Sequence, residues 1–125
     1  MSKKDKISGT LRDAIYEELK HLAKIKKPAT YGEFGRKFGF LPEDAHFENS
    51  PLWSILGDFS ILECEQGHPM ISALIYRQDT NLPGMGFFKL AEELYPTLKL
   101  NTDEKRTKFY YAELNRLFDY WKSQK

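Results

Sequence analysis

Residues 69–87 read Pro-Met-Ile-Ser-Ala-Leu-Ile-Tyr-Arg-Gln-Asp-Thr-Asn-Leu-Pro-Gly-Met-Gly-Phe, and the fold turns on how this stretch is read. Met70 to Tyr76 is an unbroken run with β-branched and aromatic residues, bounded by Gly-His-Pro and Gln-Asp-Thr-Asn, which predicts a strand. Pro83-Gly84 and Gly86 mark a tight turn, from which a short returning strand would pair with the first as a small β-hairpin.

Working outward, helices are expected on both sides. Upstream, Thr10 caps a first helix with Asp13 in its first turn, and Leu11, Ile15, Leu19, Leu22 and Ala23 recur at helical spacing. Lys24, Lys26 and Lys27 suit its negative end, and Pro28 stops it. Thr30-Tyr31-Gly32-Glu33 is a capping-box signature opening a second helix, with Phe34 and Phe38 on one face and Gly39 as the stop. Ser50-Pro51 starts a third helix, whose expected buried stripe is Leu52, Ile55, Leu56, Phe59 and Leu62. Downstream, 87–94 returns to helical character, and a last helix starts near Thr102 with the stripe Tyr110, Leu114, Leu117, Phe118 and Trp121.

This order predicts an α+β fold with a winged helix-turn-helix-like core, a small β-hairpin and added C-terminal helices. The expected organisation of 1–125 is a single domain, with a flexible basic tail over 1–9, the core over 10–88 and a helical extension over 89–125.

Composition narrows the function classes. The chain has 125 residues, 41% hydrophobic and 14% aromatic, enough to build a core. Nineteen basic and 18 acidic residues give a net charge of +1, so there is no strongly basic domain of the kind that binds nucleic acid. The distribution is uneven: residues 1–39 balance at +5, residues 40–76 at −6 without a single Lys or Arg, and residues 77–125 at +2. No apolar run is long enough for a membrane helix, and the charged start leads into no secretory h-region. One cysteine, Cys64, excludes an intramolecular disulfide and points to a reducing, cytoplasmic setting.

Several landmarks resemble the winged-helix domain of the alkylguanine-DNA alkyltransferases and alkyltransferase-like proteins. Thr30-Tyr31-Gly32-Glu33 is similar to that family's Thr-Tyr-Gly-Glu entry, and Leu56-Gly57 falls where the family has Val-Gly in its recognition helix. Pro69-Met70-Ile71-Ser72-Ala73 stands where it has Pro-Cys-His-Arg-Val, and Gly84-Met85-Gly86-Phe87 resembles its glycine-rich turn. The resemblance covers roughly residues 30–88 and implies a shared fold. It does not carry the activity over, because the alkyl-accepting cysteine is replaced by Met70, which has no thiolate, and the following His-Arg by Ile71-Ser72. Tyr31 matches a family tyrosine whose partner arginine in the third helix is missing here.

Three readings of function follow. The first is a non-catalytic binding module engaging a protein through an acidic face over residues 43–66, with Asp58, Glu63, Glu65 and Trp53 as contacts, because a cation-free surface steers toward a basic partner. The second is a DNA-binding protein using Tyr31, Arg36, Lys37, Arg77 and the tail lysines Lys3, Lys4 and Lys6. The third is a small hydrolase or metal-dependent enzyme built on Glu63, Glu65 and His68, against which stands the plainer reading of a solvated helix end. The sequence ranks them in that order, shows no P-loop, zincin or Ser-His-Asp signature, and leads to an expectation of no cofactor and no bound metal.

Overall fold

The computed structural model describes residues 9–40 and 51–124. Within them five α-helices are formed: α1 (Gly9–Lys24), α2 (Tyr31–Lys37), α3 (Pro51–Glu65), α4 (Met85–Leu94) and α5 (Asp103–Lys122). Two strands of two residues each, β1 (Ala29–Thr30) and β2 (Ile75–Tyr76), pair in parallel, and a 3-10 turn over Ile71–Leu74 leads into β2. The architecture is helix-dominated α+β. The expected tail with Lys3, Lys4 and Lys6, the Ser50 cap, and Glu43, Asp44 and Glu48 lie outside the described residues.

The helices form where capping and periodicity place them. α1 buries Ile15, Leu19, Leu22 and Ala23, and starts at Gly9, so Thr10 sits inside its first turn. In α2 the Thr30 hydroxyl accepts from the Glu33 N–H at 3.2 Å and donates to the Glu33 carboxylate at 2.8 Å, so the box closes on itself. Gly39, at φ +83°, takes the left-handed conformation that lets the chain leave α2 without a Cβ penalty. Thr102 caps α5 by accepting from Lys105 N–H at 3.1 Å.

The hairpin does not form. Residues 71–74 tighten into a 3-10 turn, and only Ile75 and Tyr76 are extended, paired with Ala29 and Thr30. Residues expected to return as a strand instead open α4, capped at Gly84. The physical reason lies in the surroundings of 70–74. This segment packs against α1, α3 and α5, and all five of its residues are buried, so no sheet edge is available to it. Its backbone is satisfied by side chains instead: Ser60 Oγ accepts from Ser72 N–H at 3.0 Å, and Glu113 Oε2 accepts from Met70 N–H at 2.9 Å.

The third helix also differs in register. Leu62, expected in the core, is exposed, and the buried face runs Leu52, Ile55, Leu56, Phe59, Ser60 and Glu63. At the other end of the chain, Tyr110, Leu114, Leu117 and Trp121 of α5 belong to the same apolar cluster as Ile15 and Leu56. α5 is therefore a wall of the core. No described helix is long and apolar enough to cross a membrane.

Candidate partner-binding groove

α3 is apolar on nearly every face, which ordinarily marks a helix enclosed on all sides. One of its outer faces is covered only in part. Trp53, Gly57 and Ile61, spaced four apart, line a groove whose opposite wall is Gly86 and Leu90 of α4. The helices approach closely where Gly86 lacks a side chain, whereas Gly57 would have room for one. A Cβ on Gly86 would lie 2.6 Å from the Trp53 indole nitrogen, and one on Gly57 would lie 3.7 Å from a Leu90 methyl. The indole thus rests against Gly86 and floors a space of about 340 Å³, rimmed by Ser54, Asp58, Lys89 and Glu93. Ile61 and Met85, two exposed large hydrophobic residues, stand on the two helices that bound it.

The acidic face expected from the sequence is broken up. Asp58 lies 3.5 Å from the Arg12 guanidinium, which also sits over the Phe59 ring at 5.4 Å. Glu63 points inward and is only 2% exposed. Glu65 remains exposed. A stretch without cations in sequence is not without cations in space, because α1 supplies Arg12.

Glu63 instead anchors a buried polar cluster. Its carboxylate accepts from the Tyr16 hydroxyl of α1, and Oε1 lies 3.0 Å from Nδ1 of His68. His68 Nε2 is 2.9 Å from the Tyr120 hydroxyl of α5. Carboxylate, imidazole and hydroxyl in series have the connectivity of a nucleophilic relay. Two features favour a structural role for the cluster. The His68 and Tyr120 rings stack with centroids 4.2 Å apart, which packs the imidazole between α3 and α5 and not toward an open site. Neither the α3–α4 groove nor the cleft bounded by Tyr76 and Tyr110 is lined by these residues. Both His68 nitrogens are engaged, Glu65 does not join the cluster, and no three His, Cys, Asp or Glu side chains among the described residues converge as metal ligands do. The tyrosine is strongly affected: burial, then the hydrogen bond to Glu63 and its charge, push the Tyr16 phenol far above its ordinary value.

A second buried carboxylate, Glu113, accepts from Met70 N–H, from the Tyr95 hydroxyl at 2.5 Å and from Arg116 at 2.5 Å. Burial and this hydrogen bond drive the Tyr95 phenol upward as well. Burial also raises the Cys64 thiol, opposed by its 3.6 Å contact with Tyr95, which leaves it a poor nucleophile. Sequence reasoning missed Glu113, Tyr16, Tyr95 and Tyr120. A signal existed for the carboxylates: Glu63 follows Leu56 and Phe59 at helical spacing, and Glu113 adjoins Leu114 and precedes Leu117 by four.

The residues expected to meet nucleic acid are largely occupied. Tyr31 is buried. Lys37 pairs with Glu18 at 2.5 Å, and Arg77 forms a two-point contact with Asp79 at 3.0 and 2.8 Å. Arg36 is exposed on α2. Met70, at the position of the family cysteine, is fully enclosed in the core. Comparison of the chain with protein-family models, curated proteins and solved structures found no match in any of the three.

Proposed function

We propose that this protein is a non-catalytic binding module that captures a protein partner in the α3–α4 groove. The observation that carries this reading is the open apolar floor, Trp53, Gly57, Ile61 and Leu90, on a helix otherwise committed to the core. A rigid aromatic in a recess with a polar rim has the make-up of an interface anchor. With Asp58 paired to Arg12 and Glu93 beside Lys89, the charges at the rim balance, so the partner would present an apolar side chain with polar flanks. Of the contacts expected from sequence, Trp53 and Asp58 stay in this reading, and Glu63 leaves it.

The winged-helix comparison belongs to the same proposal. Its support is the order α1, β1, α2, α3 and the pairing of Thr30 with Tyr76, which makes neighbours of the two segments that resemble the alkyltransferase domain. Alkyl transfer is no part of it. The lone thiol suits a reducing cytosol.

The test is affinity capture from a cell extract with three baits: the native chain, Ile61→Glu, and Ile25→Glu as a control at an exposed residue in the turn after α1. The reading predicts a partner retained by the native and Ile25→Glu baits and lost with Ile61→Glu. It also predicts no binding to random duplex DNA tighter than micromolar at low salt. Nanomolar DNA binding that collapses with added salt would transfer the function to the DNA reading.

A further inference from the structure

The two walls of the α3–α4 groove run in the same direction. Trp53 lies against Gly86 and Gly57 beside Leu90, so the helices advance side by side and bring Ile61 and Glu93 to the far end. The face is therefore ordered along one axis. Trp53 marks its first end, and Ile61 and Leu62 its second. Lys89 and Glu93 follow one another along α4, one turn apart. Three of the five large hydrophobic side chains exposed among the described residues, Ile61, Leu62 and Met85, stand on these two helices.

Two charges of this face are unmatched. Asp58 is held by Arg12 at 3.5 Å, whereas Lys89 and Glu93 form no ion pair among the described residues, neither with each other nor with a third group. Their order explains part of this. A lysine one turn ahead of a glutamate pairs less well within a helix than the reverse order, because each charge then opposes the helix dipole. One cation and one anion of equal standing thus remain at the rim, with apolar surface at both ends.

We propose, resting on the α3–α4 groove as the binding site, that the partner it holds is a second copy of this chain, in a two-fold symmetric dimer. An axis lying across the groove, between Lys89 and Glu93, sets each α3 antiparallel to the other α3 and each α4 antiparallel to the other α4. Lys89 then faces Glu93 of the second copy and Glu93 faces its Lys89, so charges left single in one chain form two pairs. The same rotation carries Ile61 and Leu62 of one copy to Trp53 of the other, apolar against apolar at both ends. Asp58, near the axis, meets its own copy with its charge already balanced by Arg12. Reversal of this face exchanges cation with anion and one apolar end with the other, which is the self-complementarity that an isologous contact requires. Charge order and apolar order select the same occupant.

The test is analytical ultracentrifugation of the full chain from low to high micromolar concentration. The mass is expected to rise from 14.6 kDa toward twice that value. Lys89→Glu sets like charges opposite each other twice, as does Glu93→Lys, and each variant weakens self-association by about tenfold or more. An equimolar mixture of the two variants restores it, because each presents the charge that the other needs, and misfolded chains would not recover on mixing. Ile61→Glu weakens association as well, whereas Ile25→Glu, outside this face, leaves it unchanged. A native chain that stays monomeric throughout would overturn the proposal, and so would a mixture of the charge variants no stronger than either alone. The groove reading outlives either result if the native bait retains a protein of different mass that Ile61→Glu loses, and it falls too if the bait retains none.

Discussion

The carboxylate of Glu113 on α5 accepts the backbone N–H of Met70 at 2.9 Å, so a side chain from the last helix completes the hydrogen bonding of the segment between α3 and β2. A ladder would otherwise have to satisfy that backbone. Tyr95, from the far end of α4, donates to the same carboxylate. One buried acid thus ties three parts of the chain together.

Removal of that carboxylate tests the arrangement. Glu113→Ala strands the Met70 N–H and the Tyr95 hydroxyl and leaves a void, and it is expected to cost about 3 kcal/mol of stability. Arg116→Ala removes only a partner whose side chain is half exposed, and should cost clearly less. Urea unfolding of both variants measures the difference, and equal losses would contradict the assignment.

The neighbouring pair Leu62 and Glu63 makes a sharper contrast. By residue type, Leu62 belongs inside and Glu63 outside, and the structure reverses them. Leu62→Gln should change stability by less than about 0.5 kcal/mol, as surface substitutions do. Glu63→Ala leaves Tyr16 and His68 without their acceptor and should cost about 2–4 kcal/mol.

That reversal shows what the sequence could and could not convey. Features governed by local chemistry were legible: the Thr30–Glu33 box, the start of α5 near Thr102, the stripe of α1 and the stop at Gly39. Features settled by distant partners were not. Glu63 is at home in the core only because Tyr16, 47 residues away, reaches it, and Ser60 only because Ser72 lies 2.6 Å from it. Residues 70–76 match a strand in composition, yet the enclosure of 70–74 left only Ile75 and Tyr76 an edge to pair with. At the candidate groove Trp53 was legible as an anchor, whereas Gly86 and Leu90 needed the packing of α4 on α3 to come into view.

The raised phenols fix the alkaline limit of stability. Tyr16, Tyr95 and Tyr110 all have folded-state values well above their ordinary value of 10.0, each first through burial. A group shifted upward contributes stability that is fully present below its unfolded value and is lost as pH rises through the folded one. Thermal unfolding should therefore be insensitive to these groups near neutrality and fall steeply above about pH 10, where unfolded tyrosines ionise. Tyr95→Phe, compared with the native chain at pH 8 and pH 11, should lose less of its midpoint over that interval. An equal loss would mean that Tyr95 does not contribute to the alkaline transition.

Gly86→Ala probes the groove without touching its polar rim. A methyl group at this position meets the Trp53 ring at 2.6–2.8 Å, closer than any real contact, so the indole must swing away. Gly86 lies in the first turn of α4, where alanine is the better helix former by about 1 kcal/mol, and this gain offsets part of the clash. The expected result is a protein that stays folded, with Trp53 displaced. Its tryptophan emission should shift relative to the native chain, while Trp53→Phe carrying the same glycine substitution should show no further shift from Trp121. Capture of the partner should fall together with the displacement, because the indole then fills the recess that the partner's side chain would enter. Emission unchanged by Gly86→Ala would mean that the ring does not rest on this glycine, and the floor of the groove would have to be redrawn.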